Sequence, residues 1–283
     1  MRTVHVDAGR QMGGGQWQAL YLIERLTEAV LLAPADSPVF REACIRRLDV
    51  HPLTFPALFS AVRQADLVHV HEARAHTLAA LAGGAPLVVA RRVHFPVRRS
   101  IASRWKYGRA ALYVAVSKFV ASSLEASGVA KNRIRLVYDG VPIPPEPARP
   151  EPGRVIALAN KPVEIPGIEV HLTSNLWKDL STASVFVYKS DAEPLGSAAL
   201  AAMASGVPVI ASGTGGLPEI VIHERTGLLV SNGDFAGAVR RLLDDTRLAA
   251  ELSCAGREHV QRGFSADQMT DNTMRVYHEV AKC

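Results

Sequence analysis

The chain has 283 residues, 48% hydrophobic and 21% charged, with a net charge of +5; that supplies a packed core for one large or two ordinary domains and excludes a disordered chain. No run of eighteen apolar residues occurs, the opening MRTVHVD lacks the apolar stretch of a signal peptide, and Cys44, Cys254 and Cys283 show no Cys-x-x-Cys spacing. A membrane span, a disulfide framework and a metal site are therefore not expected, and a cytoplasmic protein is.

In chain order, Thr3–Asp7 reads as a short strand. Gly13, Gly14 and Gly15 then lead into a helix near Gln16–Glu28, with Ala19, Leu20, Ile23 and Leu26 at helical spacing. Val30–Ala33 is the next strand. Short β-rich runs follow at Asp66–His71, Pro86–Ala90, Ala111–Val116 and Arg133–Tyr138, separated by helix-length stretches. Strand and helix in alternation predict a mostly parallel sheet covered by helices. The run PIPPEPARPEP over residues 142–152 can form neither helix nor central strand and reads as a stiff, extended connector. This places an N-terminal domain at 1–143, a linker at 144–152 and a C-terminal domain at 153–283.

The second domain repeats the alternation. Strands are expected at Val155–Ala159, Ile168–Leu172, Val185–Lys189, Val207–Ala211 and Gly227–Val230. Helices are expected near Leu176–Thr182, Ser197–Ala204, Phe235–Asp244 and Thr246–Arg262, with a last one over Ala266–Lys282. Two Rossmann-like α/β units would face a cleft at the carboxyl ends of their strands, where open α/β folds bind ligands.

The charge is uneven. Residues 1–141 carry 19 Lys/Arg against 10 Asp/Glu, and the remainder 13 against 17. Nothing between Glu72 and Glu125 is acidic, while Arg91, Arg92, Arg98, Arg99, Arg104, Lys106 and Arg109 crowd together. Ile101 and Trp105 stand one helical turn apart in this stretch. The segment could meet an anionic membrane face, bind a phosphorylated acceptor through Arg98 and Arg99, or be a solvated basic surface. Nucleic acid is the weakest partner class, because aromatic residues are 6% of the chain and no base-stacking motif occurs.

The stretch EPLGSAALAAMASGVPVIAS, beginning at Glu193, predicts a loop, a helix of strong helix formers and a buried strand. The peptide groups of Leu195, Gly196 and Ser197 would sit at the helix start, where unpaired amides and the dipole favour a phosphate. Ser197 also suits a plain N-cap. Glu219, behind Pro218, suits the start of its own helix. Gly213, Gly215 and Gly216 are turn glycines. His69 and His71 alternate on a strand, with His71 near its carboxyl end; a partly buried structural role competes there with a place in the cleft.

These pieces, with QMGGG, ADLVHVHEA, VAVSKFVASSLEASGVAKNRIRLVYDGV and EPLGSAALAAMASGVPVIASGTGGLPEIVIHERTGLLV in that order, resemble the retaining glycosyltransferases of the two-Rossmann-domain GT-B type found in bacterial envelope synthesis. The resemblance covers about half of the chain. It implies transfer of a sugar from a nucleotide-diphosphate donor, base unspecified, to an envelope glycan or lipid-linked acceptor. It also implies retention at the anomeric carbon, no cofactor and no obligatory metal, at the cytoplasmic membrane face. Glu193 would hold the sugar hydroxyls, Leu195, Gly196 and Ser197 the phosphates, Gly215, Gly216 and Glu219 would border the donor, and His94 would touch its sugar. Apart from the resemblance, Gly13, Gly14 and Gly15 could let backbone approach a donor or acceptor or be only an N-domain loop, and His71 is grouped with them on the acceptor side. The family's second Glu falls on Ala201, and its early Arg and Lys are unmatched, with Lys161 the nearest cation and Arg154 behind it. The second domain reads one strand and two helices short, and the resemblance implies that the last helix crosses back toward the first domain. A non-catalytic relative that binds a nucleotide, glycan or protein partner stays open for these reasons.

Overall fold

The computed structural model describes residues 1–97, 100–231 and 233–281. The chain divides into two compact units, one made of residues 1–139 with the segment from Asp267 onward, the other of residues 140–266.

The first unit is a parallel sheet. Its elements are β1 (Thr3–Val6), α1 (Gly14–Ile23), β2 (Ala29–Ala33), α2 (Pro38–Ile45), β3 (Val50–Pro52), α3 (Phe55–Gln64), β4 (Leu67–Val70), α4 (Ala73–Ala82), β5 (Leu87–Arg91), α5 (Ile101–Gly108), β6 (Leu112–Ala115), α6 (Lys118–Ala126) and β7 (Ile134–Leu136). The seven strands run in the order β3-β2-β1-β4-β5-β6-β7. The order reverses between β1 and β4, so right-handed crossovers put α1 and α2 on one face and the following helices on the other. Both faces are covered, which is why β1, β4 and β6 are buried at every position. Helix α1 stops at Ile23 rather than at Glu28, the chain turning at Arg25 and Leu26 through bonds to Leu22 and Ile23. The edge strand β3, three residues ending in Pro52, is too short to show in the pattern.

The second unit has β8 (Val155–Leu158), β9 (Val170–Thr173), α7 (Leu176–Leu180), β10 (Val185–Tyr188), α8 (Ser197–Ala204), β11 (Val209–Ser212), α9 (Leu217–Ile220), β12 (Leu228–Val230), α10 (Phe235–Asp244) and α11 (Thr246–Gly263). Five parallel strands run β12-β11-β10-β8-β9. No helix joins β8 to its parallel neighbour β9, as the shortened pattern led one to expect. Helix α8 is buried from Ala199 through Ala204 and packs on α11. Its run of small side chains follows from that position, since a helix covered all round has no polar face to offer.

The Pro-rich segment is bound along this unit. Ala148 N donates to Ser205 O at 2.7 Å, Arg149 N to Ser181 O at 2.9 Å and Glu151 N to Thr182 O at 2.9 Å. Its polar backbone groups find partners just past the C-terminal ends of α7 and α8, so it is a strap and not a free spacer. Val141 and Ser265 run parallel beside each other, and a Cβ at Gly140 would overlap the Ser265 carbonyl. The last helix, α12 (Ala266–Ala281), belongs with the first unit. Buried Tyr277 donates to or accepts from His69 Nδ1 at 2.6 Å, and Arg25 pairs with Asp267. Among the described residues no helix is long and apolar enough to cross a membrane.

Candidate functional site

In the second unit the residues leading into α8 form a polar cluster. Glu193 Oε2 accepts from Lys161 Nζ at 2.5 Å and from Tyr188 Oη at 3.0 Å, with Ser190 Oγ 3.5 Å away. Lys161 Nζ also donates to Ser190 Oγ at 2.9 Å and stands 4.7 Å from the centre of the Tyr188 ring. The Glu193 side chain keeps 15% of its surface exposed and that of Lys161 26%. Burial, followed by the negative charge of Glu193, pushes the Tyr188 phenol well above its ordinary value, so it remains a donor. All of these bonds use Oε2, and Oε1 takes none among the described residues.

Gly196, at φ +109°, is the N-cap of α8, and no side chain caps the helix. A Cβ there would sit 2.6 Å from Leu217 Cδ2, so glycine serves both the left-handed backbone and the close packing. The amides of Leu195, Gly196 and Ser197 donate to no backbone carbonyl among the described residues. An uncapped helix start with its positive dipole end beside a Lys suits a phosphate oxygen.

The loop that positions Glu193 is stitched to the next crossover. Ser190 N donates to Ser212 Oγ at 2.9 Å, Thr214 Oγ1 to Ser190 O at 2.8 Å, and Gly216 N to Glu193 O at 2.8 Å. A Cβ on Gly215 would run into the Glu193 carbonyl, and one on Gly216 into that of Pro194. These two glycines thus hold the Glu193 loop by backbone contact. Glu219 lies in the first turn of α9. Arg154 is spent on Glu151 and Asp179. Ala201 is buried in α8 with no group to offer a ribose. Tyr188 and Ser190 escaped sequence reasoning; the signal was their place between a strand end and Glu193.

In the first unit the strand ends near the β1/β4 reversal carry a different network. Gln16 donates through Nε2 to Asp7 Oδ2 at 3.0 Å and accepts through Oε1 from Gly13 N at 3.1 Å; Asp7 Oδ1 accepts from Gly9 N at 2.7 Å. The Gly13, Gly14 and Gly15 turn is thus anchored at the start of α1. A Cβ on Gly15 would touch Arg92 Cδ at 3.5 Å. Burial raises the Asp7 carboxyl above its usual value.

His71 is 4% exposed and turned inward. Arg92, which can only donate, bonds Asp139 Oδ1 through Nε at 2.9 Å and approaches His71 Nδ1 through Nη1 at 3.3 Å. His71 must then carry its proton on Nε2 and give it to His5 Nδ1, 3.0 Å away; His5 in turn donates through Nε2 to Thr3 Oγ1 at 3.2 Å. One obligate donor sets the tautomers of the whole chain. The ligand atoms of His5, His69 and His71 lie within 4.8 Å of one another. The lone pairs of His5 and His71 are already committed, and Arg92 repels a cation, so the cluster serves as an internal hydrogen-bond relay. His5 did not stand out in the sequence, and Arg92 did so only as one of a basic run, because β1, β4 and β5 become neighbours only in the sheet.

His94, after β5, packs its ring against Phe95 at 4.5 Å and Phe119 at 5.8 Å, and its carbonyl accepts from Ser123 Oγ at 2.6 Å. Its Nδ1 is buried without a partner among the described residues, so only the rest of the half-buried ring can meet a ligand. Arg98 and Arg99 lie outside the described residues.

Comparison with known proteins bears on both units. Residues 12–143 match the family model Glycosyltransferase Family 4, and residues 166–259 match Glycosyl transferases group 1. Alpha-maltose-1-phosphate synthase of Mycolicibacterium smegmatis is 39% identical over 118 residues, 38% of this chain and 30% of that protein. The lipopolysaccharide core biosynthesis glycosyltransferase LpsD of Rhizobium meliloti is 38% identical over 107 residues, 37% of this chain and 31% of that protein. The chain thus spans about 30% of the length of these curated relatives. Among solved structures, Anabaena Alr3699/HepE in complex with UDP superimposes with a TM-score of 0.85 at 14% identity, over 99% of this chain and 100% of that one. A glycosyltransferase from Rickettsia africae gives a TM-score of 0.78 at 14% identity, over 99% and 98%. With a glycosyltransferase model over each sheet and this architecture throughout, the chain belongs to the glycosyltransferases of the GT-B fold.

Proposed function

We propose that the chain moves a glycosyl group from a nucleoside diphosphate sugar to a hydroxyl of an envelope glycan or lipid-linked acceptor, retaining the anomeric configuration and needing no metal. The C1–O bond to the diphosphate breaks with its electron pair leaving on the phosphate. The amides of Leu195, Gly196 and Ser197, with Lys161 nearby, offset that charge in place of a cation. The acceptor oxygen bonds to C1 from the face the diphosphate departs, and its proton passes to the leaving phosphate oxygen. Glu193 accepts from the sugar hydroxyls through Oε1. Gly215 and Gly216 keep the Glu193 loop in place, Glu219 borders the donor, and His94 touches the sugar with the exposed part of its ring. The Gly13–Gly15 turn lies on the acceptor side. His71 supports that side through Arg92 instead of touching substrate.

One observation carries this reading: the uncapped start of α8 lies next to a carboxylate with a free oxygen. Because Anabaena HepE was crystallised with UDP and UDP-glucose, uridine is the first base to try. Calorimetric titration with nucleoside diphosphates and their sugars, repeated with Glu193→Ala, tests it. One base should bind, and the substitution should weaken the sugar donor more than the bare diphosphate. If no diphosphate and no sugar donor binds, the reading is wrong.

Ala201 favours a second reading, a binder without turnover, since no group at that position can hold a ribose. Donor binding without sugar transfer or donor hydrolysis would establish it.

A further inference from the structure

Helix α5 carries no buried residue. Its eight residues are too few to hold a helix in water unaided. Ser100 caps it through Ser103 N at 3.1 Å, and Lys106 ties it to α4 through Thr77 Oγ1 at 3.2 Å. Half-buried Ser103, Lys106 and Tyr107 form its inner face. On the outer face Ile101 is 88% exposed and Trp105 48%, one helical turn apart, and Phe95 of the preceding loop is 61% exposed. Exposed Arg104 and Arg109 flank them.

We propose that this outer face docks on an anionic lipid bilayer, Ile101 and Trp105 entering the headgroup boundary while Arg104 and Arg109 meet lipid phosphates. Charge decides the occupant. No acidic residue lies between Glu72 and Glu125, so a second copy of the chain would bring like charges together at this face. Nucleic acid would use the arginines but leave Ile101 in water. An interfacial helix uses both, the apolar side chains by burial and the cations by attraction to anionic headgroups. The proposal is independent of the donor chemistry, because lipid binding is measured without a sugar donor.

The test is co-sedimentation of the full chain with vesicles of phosphatidylcholine alone and with phosphatidylglycerol added, at low and high salt. The protein should bind the anionic vesicles and come off as salt rises. Ile101→Ser with Trp105→Ser, and separately Arg104→Glu with Arg109→Glu, should each weaken binding roughly tenfold or more at unchanged melting temperature, as these side chains are exposed. Equal binding to both vesicle types, or full binding by either double variant, would overturn the proposal. So would a Trp105-dependent dimer, or oligonucleotide binding, in a protein that ignores vesicles.

Discussion

Lys161 Nζ stands 2.5 Å from Glu193 Oε2, a pairing across 32 positions of chain that joins the loop after β8 to the loop before α8. Removing the cation leaves a mostly buried carboxylate held only by Tyr188 and Ser190. Lys161→Met should cost about 1–3 kcal/mol of stability. It should also raise the dissociation constant for a nucleoside diphosphate roughly tenfold, through the lost positive charge. Tyr188→Phe should leave diphosphate binding nearly unchanged and lower kcat. Calorimetry and steady-state kinetics on the two variants separate the roles; equal effects on diphosphate affinity would contradict the assignment.

Gly215 combines a φ of +60° with backbone contact against Glu193. Gly215→Ala adds a methyl group that the rigid Glu193 carbonyl cannot avoid, so the Glu193 loop must shift. The expected cost is about 2–4 kcal/mol. Donor affinity should fall with it. Gly233, also at positive φ but with nothing near its Cβ, is the control: Gly233→Ala should cost only about 1 kcal/mol and leave donor binding intact. Thermal denaturation and calorimetry decide.

Arg92 and Asp139 form an ion pair whose side chains are 12% and 6% exposed. Burial raises the Asp139 carboxyl above its usual value despite Arg92. Arg92→Met should destabilise by about 3–5 kcal/mol, because it strands a buried acid and leaves His71 Nδ1 without its donor. Adding Asp139→Asn should recover a substantial part. A double-mutant cycle by urea unfolding measures the coupling, and additive losses would contradict it.

Burial holds His69 and His71 well below their ordinary value, and His5 at about 3. Repulsion from Arg92 adds to the effect in all three. The unfolded chain therefore binds protons near 6.5 that the folded one refuses. Stability should be full above that pH and fall as the pH drops toward the folded values, by up to about 1.4 kcal/mol per unit for each histidine. Asp7 and Asp139, with raised values, oppose the trend only nearer the carboxylate range. His69→Gln should reduce the slope of stability between neutral and mildly acidic pH by about one proton. An unchanged slope would mean that His69 charges freely in the folded state.

The strands were legible wherever both faces are covered: β6 and β10 read as unbroken apolar runs, and β1 and β4 as apolar runs interrupted only by Thr3, His5 and His69. The start of α8 was legible because Gly196 and the alanines after it are local features. Lys161 was visible only as the nearest cation, and its contact with Glu193 depends on β8 and β10 lying side by side. A partly buried structural place for His71 was among the readings of its strand, but its partners were hidden. Its partner His5 sits on β1, and the two meet because β1 pairs with β4 across the reversal of strand order.

What the amino-acid order alone determined was local: which segments are helix or strand, where glycine permits a tight approach, and where basic charge accumulates. Propensity, periodicity and composition act over a few residues and can be read without coordinates. What tertiary structure decided was partnership: Lys161 with Glu193, Arg92 with Asp139 and His71, His69 with Tyr277 of α12, and the Pro-rich segment as a strap on the second unit. Such contacts depend on which strands become neighbours, and that is set by burying both sheets at once.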